Sequence, residues 1–146
     1  MNWTIFAVGK PKLAYARDGI EEYAGRLRNF ASVKLETVKA GTREAESTAL
    51  LQRSEGLWRI ALDERGEQTG SIIFANKIAL WEQKSVKGIA ILIGGADGHS
   101  PKLREEADWV WSLSTLTLQH ELALVVLYEQ LYRAYSIKAG LPYHRE

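Results

Sequence analysis

The sequence predicts an α/β domain with a mostly parallel β-sheet. Short apolar runs alternate along the chain with amphipathic segments, which is the pattern of strands connected by helices. Several runs are almost continuously apolar, as expected of strands that helices cover on both faces. With 146 residues, 46% of them hydrophobic and 25% charged, the chain is large enough for one hydrophobic core. We therefore expect a single domain over residues 1–146.

The first strand and helix are predicted within residues 3–30. Residues 3–8 are almost all apolar, and Gly9-Lys10-Pro11 interrupts this strand. Apolar residues then recur at three- and four-residue spacing, which predicts an amphipathic helix. The apolar face of that helix consists of Ile20, Tyr23, Ala24, Leu27 and Phe30.

The second strand and helix follow in residues 33–51. Apolar and polar residues alternate over 33–38, which indicates a half-buried strand. A polar segment begins at Gly41, and we expect a helix through Ala49 and Leu51.

A third strand is predicted at 58–63, ending in an acidic turn at 63–66. Ser71 is placed to cap the next helix, whose apolar residues share one face. Those apolar residues are Phe74, Ile78 and Trp81. The fourth strand spans 89–93, and a glycine-rich loop follows at its carboxyl end, residues 94–98.

The C-terminal third contains a short helix, a strand and a long helix. Ser100-Pro101 is a cap and first-turn pair that opens the short helix, which runs through Ala107. The fifth strand is predicted at 109–113, and the last helix at 120–138, ended by Gly140 and Pro142.

The last helix is apolar on more than one side. One face of a small domain is not expected to cover all of this surface, so a subunit interface is predicted there. The residues on which this interpretation depends most are Leu127, Leu131 and Tyr135.

Composition and charge exclude several classes of protein. The formal net charge of +1 gives no global attraction to nucleic acid or to a membrane, so any polyanion site must be local. The absence of cysteine excludes disulfides and thiolate zinc sites. No apolar run reaches the roughly 20 residues that span a bilayer, and the apolar start is too short for a signal peptide. We expect a soluble, cytoplasmic protein with no membrane partner.

Common catalytic motifs are missing from the sequence. Gly94, Gly95 and Gly98 do not fit G-x-G-x-x-G, and no phosphate-binding loop or G-x-S-x-G motif occurs. His120-Glu121 lacks the second histidine of a zinc-binding helix, because position 124 is leucine. We therefore expect no metal site.

Polar and glycine-rich loops follow the third, fourth and fifth predicted strands. In open parallel sheets, ligands bind outside the carboxyl ends of the strands, so residues 63–66, 94–98 and 114–119 could line one pocket. Taken singly, each loop is better explained by turn and cap chemistry than by ligand binding.

The same loops carry a family resemblance. Four segments carry it: ILIGGADG at 91–98, SLSTLTLQH at 112–120, EQLYRA at 129–134 and PYHR at 142–145. In these segments the sequence resembles the RlmH family, which consists of ribosomal RNA large-subunit pseudouridine N3-methyltransferases of the SPOUT superfamily. Looser matches extend it through residues 7–10, 22–26 and 61–66.

The resemblance implies a SPOUT-type α/β fold with a C-terminal deep trefoil knot, and a homodimer. It also implies that S-adenosylmethionine binds in the knotted loops, mainly through backbone groups. Glycine would permit close approach of the cofactor at positions 94 and 95. The cofactor-binding residues carried over from the family are Leu62, Gly94, Gly95, Ser114, Thr115, Leu116, Thr117, Leu118 and Gln119.

The implied reaction is methylation of N3 of a pseudouridine in a stem-loop of large-subunit (23S) ribosomal RNA, on the assembled 70S ribosome. Tyr143 and His144, on a C-terminal tail similar to the family's pocket-closing tail, are candidates for handling the N3 proton. The third catalytic candidate, Arg133, either pairs with Glu129 one turn earlier or reaches the partner's site and holds RNA. RNA affinity would come from a local patch of Arg133, Lys138, His144 and Arg145.

Two positions depart from the family pattern. Gln119 stands where the family commonly has proline, and Leu124 where it commonly has arginine. The leucine removes one expected anionic contact, to cofactor or RNA. Two other hypotheses stay open: an RNA-binding protein of the same fold that has lost catalysis, and a different nucleotide-binding α/β enzyme.

Overall fold

The structure is a computed structural model that describes residues 1–145. A parallel five-stranded sheet has the strand order β2-β1-β4-β3-β5. The elements in chain order are β1 Asn2–Val8, α1 Ala14–Leu27, β2 Ser32–Val38, α2 Arg43–Arg53, β3 Trp58–Gln68, α3 Ser71–Gln83, β4 Gly88–Ile93, α4 Pro101–Glu106, β5 Trp109–Ser112 and α5 His120–Lys138. The predicted α/β class and parallel sheet are confirmed.

Helices cover both faces of the sheet, and alternate residues of each central strand face different helix layers. In β1, Ile5 and Ala7 pack in the core beneath α1, α3 and α5, whereas Phe6 and Val8 pack beneath α2 and α4. The inner strands β1 and β4 are buried on both sides, which is why their sequences are almost continuously apolar.

Helix α5 lies in the larger of the two cores, against α1 and α3. Leu127 and Leu131 are 0% exposed, and the hydroxyl of Tyr135 accepts a hydrogen bond of 2.8 Å from Nε1 of Trp3. The prediction that these side chains form a subunit interface is therefore wrong. A helix covered by two neighbouring helices and a sheet can bury more than one side within its own chain.

The predicted helix caps are partly confirmed. Ser100 caps α4, accepting a hydrogen bond from the Leu103 amide, and Pro101 occupies the first turn. The Ser71 prediction is wrong, because α3 begins after Gly70, which has no capping side chain. The Ser71 hydroxyl instead donates a hydrogen bond of 2.7 Å to Oε1 of Gln130, which connects α3 to α5.

The third strand is longer than predicted. It continues to Gln68, and both Leu62 and Glu67 pair with Trp111, so residues 63–66 bulge out of the β3–β5 ladder. The predicted acidic turn at 63–66 is thus a bulge within the strand rather than its end. A side chain at Gly66 would meet the Val110 carbonyl oxygen at 2.6 Å, which explains the glycine.

Within residues 1–145, none of the helices combines the length and apolarity needed to cross a bilayer.

We predict that replacing Leu131 with aspartate prevents folding rather than separating subunits. The substitution places an unpaired charge in the core and removes a buried leucine, a combined cost of at least about 3 kcal/mol. Urea denaturation followed by circular dichroism measures the effect. Leu80→Asp is the matched control, because Leu80 lies on the neighbouring helix α3 and is 45% exposed. A folded Leu131→Asp monomer would show that this face of α5 is a subunit interface.

Candidate functional site

A cavity of about 490 Å³ lies at the carboxyl ends of β3, β4 and β5. Its walls come from residues 62–65, 93–98 and parts of 113–123. The three loops that the sequence analysis singled out therefore surround one cavity, at the sheet edge where parallel sheets bind ligands.

Nearly all of the cofactor-binding residues predicted from the resemblance line this cavity. The lining residues among them are Leu62, Gly94, Gly95, Ser114, Leu116, Thr117, Leu118 and Gln119. Thr115 is an exposed member of the same loop and is not part of the wall.

The bulge at 63–66 is held in shape by the side chain of Asp63. Its Oδ1 accepts hydrogen bonds from the backbone amide and Nε of Arg65, at 2.9 and 3.0 Å. Arg104 approaches Oδ2 at 3.7 Å. Burial opposes the charged form of Asp63, but the bonds from Arg65 outweigh it and lower the pKa of the carboxyl. Asp63 is therefore ionised and committed to Arg65 and Arg104.

Glu64 links the bulge to the loop on the other side of the cavity. Its Oε2 accepts a hydrogen bond of 2.7 Å from the Thr117 hydroxyl. The other side-chain bonds of residues 114–119 are local, such as the 2.9 Å bond from the Leu116 amide to Ser114 Oγ. Among the described residues, Glu64 is thus the one side chain whose hydrogen bond ties this loop to the β3 bulge.

Gly94 and Gly95, two of the three glycines of the 94–98 loop, pack closely against the protein itself. A Cβ at Gly94 would lie 2.9 Å from the carbonyl carbon of Gly98. A Cβ at Gly95 would lie 2.9 Å from Oε1 of Glu46, a buried residue of α2. A side chain at either position would therefore displace the loop or Glu46, and its effect on cofactor approach stays a prediction.

A buried histidine anchors the end of this loop. A ring nitrogen of His99, Nε2, lies 2.9 Å from the Leu92 carbonyl oxygen, and the ring is 1% exposed. Arg104 donates a hydrogen bond of 2.9 Å to the His99 carbonyl oxygen. Burial lowers the pKa of His99, so the ring is neutral at pH 7. His99 acts as a structural donor to Leu92.

The two departures from the family pattern have local explanations. The side chain of Gln119 caps α5 by accepting hydrogen bonds from the amides of Glu121 and Leu122, at 2.8 and 3.0 Å. Leu124 is 2% exposed in the core and is not part of the cavity wall.

The catalytic candidates form a second cluster, on the side of α5 that faces α1. The Tyr143 hydroxyl donates to Oε1 of Glu129 at 3.1 Å and lies 3.2 Å from the Tyr23 hydroxyl. The Tyr143 ring packs edge-on against Tyr132, with 4.7 Å between ring centroids. Burial, together with the hydrogen bond to Tyr23 and the nearby Glu129 carboxylate, raises the pKa of Tyr143. The tail is thus packed against the helices, and Tyr143 is neutral at pH 7.

Arg133 joins the same cluster. Its Nε donates to Oε1 of Glu129 at 3.0 Å, and its Nη2 also pairs with that carboxylate. Its Nη1 lies 3.1 Å from Nδ1 of His144. Because a guanidinium can only donate, Nδ1 accepts and the proton of the neutral His144 ring is on Nε2. The ion pair with Glu129 is confirmed, and Arg133 also orients His144.

The cavity and the second cluster are separated within one chain. Tyr143, His144 and Arg133 do not line the cavity. At 1.5 Å per residue, Arg133 lies about 20 Å along the axis of α5 from His120, which does line it.

Two cations of the predicted RNA-binding patch at the C-terminus are engaged by carboxylates, and the patch itself stays a prediction. Arg133 pairs with Glu129, and Lys138 pairs with Glu82 on α3. An arginine that already pairs with a carboxylate has fewer free N–H donors and less net charge with which to bind a phosphate. Arg145 of the same patch is exposed.

Across residues 1–145, no three histidine or carboxylate side chains lie together as ligands of a metal ion would.

Comparison with known proteins identifies relatives over the whole chain. The family model described as "Predicted SPOUT methyltransferase" matches residues 1–144. A protein of Thermus thermophilus named ribosomal RNA large subunit methyltransferase H is 48% identical over 145 residues, covering 99% of each chain. A protein of the same name from Deinococcus radiodurans is 44% identical over 149 residues, also covering 99% of each chain.

A solved structure has the same fold. It is a probable methylase family protein from Haemophilus influenzae, with a TM-score of 0.57 and 11% sequence identity, covering 99% of this chain and 71% of that one. At this level of identity the likeness establishes the architecture alone.

We predict that Glu64→Ala weakens S-adenosylmethionine binding in the cavity about tenfold, because the loop at 114–119 loses a charge-assisted hydrogen bond. Isothermal titration calorimetry measures the dissociation constant. Glu64→Gln separates the effect of the hydrogen bond from that of the charge, since an amide oxygen can still accept from Thr117 but carries no charge, and it should bind more tightly than Glu64→Ala. Equal affinity for the wild type and Glu64→Ala would show that this link does not shape the binding site.

Proposed function

The chain belongs to the SPOUT methyltransferase family, and from that premise we propose that it methylates large-subunit ribosomal RNA with S-adenosylmethionine as methyl donor. The names of its full-length relatives support the RNA substrate. The observation that carries the proposal is the single cavity formed by the three loops that the resemblance assigns to the cofactor.

We further propose that the methylated atom is N3 of a pseudouridine, in RNA of the assembled 70S ribosome. That the chain forms a single domain, and that its C-terminal segment is knotted, also stay proposals. The proposed site of action places the protein in the cytoplasm.

The residues of the cavity suit this donor. A volume of about 490 Å³ lies within the range of small-molecule sites, roughly 300 to 1,000 Å³. Leucine side chains and the glycine-rich backbone at 94–98 supply apolar surface and hydrogen-bonding groups. Glu64 and Asp97 line the cavity, and neither pairs with an arginine or lysine in the described part of the chain. Such carboxylates favour a cationic ligand, and the donor when bound supplies a methyl group activated on a positively charged sulfur.

The second cluster would handle the RNA base. The imide of pseudouridine presents an N3–H between two carbonyl oxygens, so recognition requires hydrogen-bond donors. With its proton on Nε2, which is buried in this structure, His144 can donate to one of these oxygens once the tail moves, and Tyr143 can donate its hydroxyl once it releases Glu129. The raised pKa of Tyr143 keeps that hydroxyl protonated. We assign these residues to orienting N3 toward the cavity, and Arg133 to holding His144 in this tautomer. His144 accepts the N3 proton only if Arg133 releases Nδ1.

The site is complete only if two copies of the chain share it. In one copy, the cavity and the residues that orient the base are too far apart to meet on one nucleotide. A homodimer in which the tail of one protomer reaches the cavity of its partner would bring them together. Exposed apolar side chains near the cavity end of α5 support such an interface. They are Leu13, Tyr15, Leu116 and Leu122, at 40%, 50%, 71% and 37% exposure.

The proposed function predicts that methyl transfer depends on whether the ribosomal RNA is already methylated. Purified protein should transfer the labelled methyl group of S-adenosylmethionine to 70S ribosomes from a strain that lacks this gene. Wild-type ribosomes, already modified, should accept none. Mass spectrometry of digested RNA should place the label on N3 of pseudouridine. Cofactor binding without transfer would instead favour the RNA-binding hypothesis, and preference for a nucleoside triphosphate would favour another α/β enzyme.

His144→Ala should lower turnover roughly 10² to 10⁴-fold in the same assay, with little effect on the affinity for S-adenosylmethionine. Leu141→Ala is the matched control, because Leu141 is 44% exposed immediately before the tail. Wild-type turnover in His144→Ala would remove the tail from the active site.

A further inference from the structure

We propose that Lys10, Lys12 and Lys39 form an RNA-binding surface beside the cavity, which we name the basic rim. The proposal rests on the proposed function, because it assigns the surface that holds the phosphate backbone of that RNA. It adds to the C-terminal patch, in which Arg133 and Lys138 are paired with carboxylates.

The fold places the three lysines at one edge of the sheet. Lys10 and Lys12 follow β1, and Lys39 follows β2 directly. The two strands are neighbours with Val8 opposite Val38, and the Gly9 amide donates a hydrogen bond of 2.8 Å to the Val38 carbonyl oxygen. Because both strands are parallel to β3 and β4, their carboxyl ends lie on the same edge as the cavity.

A buried carboxylate connects the basic rim to the cavity wall. Oε1 of Glu121 accepts hydrogen bonds from the amides of Lys12 and Leu13, at 2.7 and 2.9 Å. Glu121 is 7% exposed and directly follows His120, which lines the cavity. Lys12 is therefore held beside the first turn of α5, close to the site where a bound base would react.

The three lysines of the basic rim are not neutralised by salt bridges in the described part of the chain. All three are exposed. The nearby acidic side chains have other partners. Glu121 accepts the two backbone amides, Glu46 accepts the Gly41 amide at 3.0 Å, and Glu44 pairs with Arg43.

This arrangement fits a nucleic-acid backbone. Lysine ammonium groups on flexible stems act as point charges, which suit phosphates without requiring a particular base. An RNA segment leaving the cavity along the carboxyl edge of β1 and β2 would pass the three side chains in turn. The basic rim would position the RNA, and the base itself would be recognised at the cavity and tail.

The test replaces the basic rim with neutral residues of similar shape. In the triple variant Lys10→Gln, Lys12→Gln, Lys39→Gln, affinity for 70S ribosomes should fall roughly tenfold or more at fixed salt. The slope of log K against log salt should become shallower by about 2, since three phosphate contacts are lost. The apparent KM for ribosomes should rise, while kcat at saturating ribosomes and the S-adenosylmethionine affinity stay unchanged.

The matched control removes the same charge from the opposite side of the molecule. Lys34, Lys84 and Lys87 are exposed and lie near the amino ends of β2 and β4, and their triple glutamine variant should bind ribosomes as the wild type does. An unchanged salt slope in the rim variant, or equal losses in both variants, would overturn the proposal. Loss of affinity for ribosomes with unchanged affinity for protein-free large-subunit RNA would also overturn it, because the rim would then contact a ribosomal protein. Failure of the proposed function differs from these outcomes, since the wild type itself would then transfer no methyl group.

Discussion

The burial of α5 between α1, α3 and the sheet is the constraint on which the rest of the structure depends. The helix begins at the cavity wall with His120 and ends near the amino ends of the strands, where the Tyr135 hydroxyl accepts a hydrogen bond from Trp3. Because its apolar side chains are fixed in the core, α5 behaves as a rigid spacer. It separates the ligand cavity from the cluster of Tyr143, His144 and Arg133, so the proposed active site requires a second chain.

Pairing with carboxylates decides which arginine and lysine side chains shape the fold of this protein and which stay available for RNA. Glu129 engages Arg133 and Tyr143 together, and this shapes the tail. Asp63 engages Arg65 and Arg104, which shapes the bulge beside the cavity. The acidic and basic side chains nearly balance in number, yet this pairing leaves some exposed lysines, such as those of the basic rim, without a carboxylate partner in the described part of the chain. A formal net charge of +1 is therefore compatible with local binding of RNA.

The strands and helices were predictable because their signals are local. Apolar runs, three- and four-residue spacing and the Ser100-Pro101 cap located the elements, with the last helix matched at both ends. The errors arose where the outcome depends on distant partners. The bulge at 63–66 exists because β5 pairs on both sides of it, and the burial of Leu131 depends on α1 and α3 packing on either side of α5. The lining of the cavity was anticipated through family resemblance, whereas nothing in the sequence indicates that Glu46 leaves no room for a Cβ at Gly95.

The shared active site is tested most directly by mixing two inactive variants. One variant blocks the cavity, with Leu118→Trp, and the other lacks the tail function, with His144→Ala. If the tail of one protomer serves the cavity of its partner, each mixed dimer contains one intact site, and random mixing should restore about a quarter of wild-type methyl transfer to ribosomes. If each chain carries its own complete site, the mixture will be as inactive as the two variants alone, and this result would contradict the account.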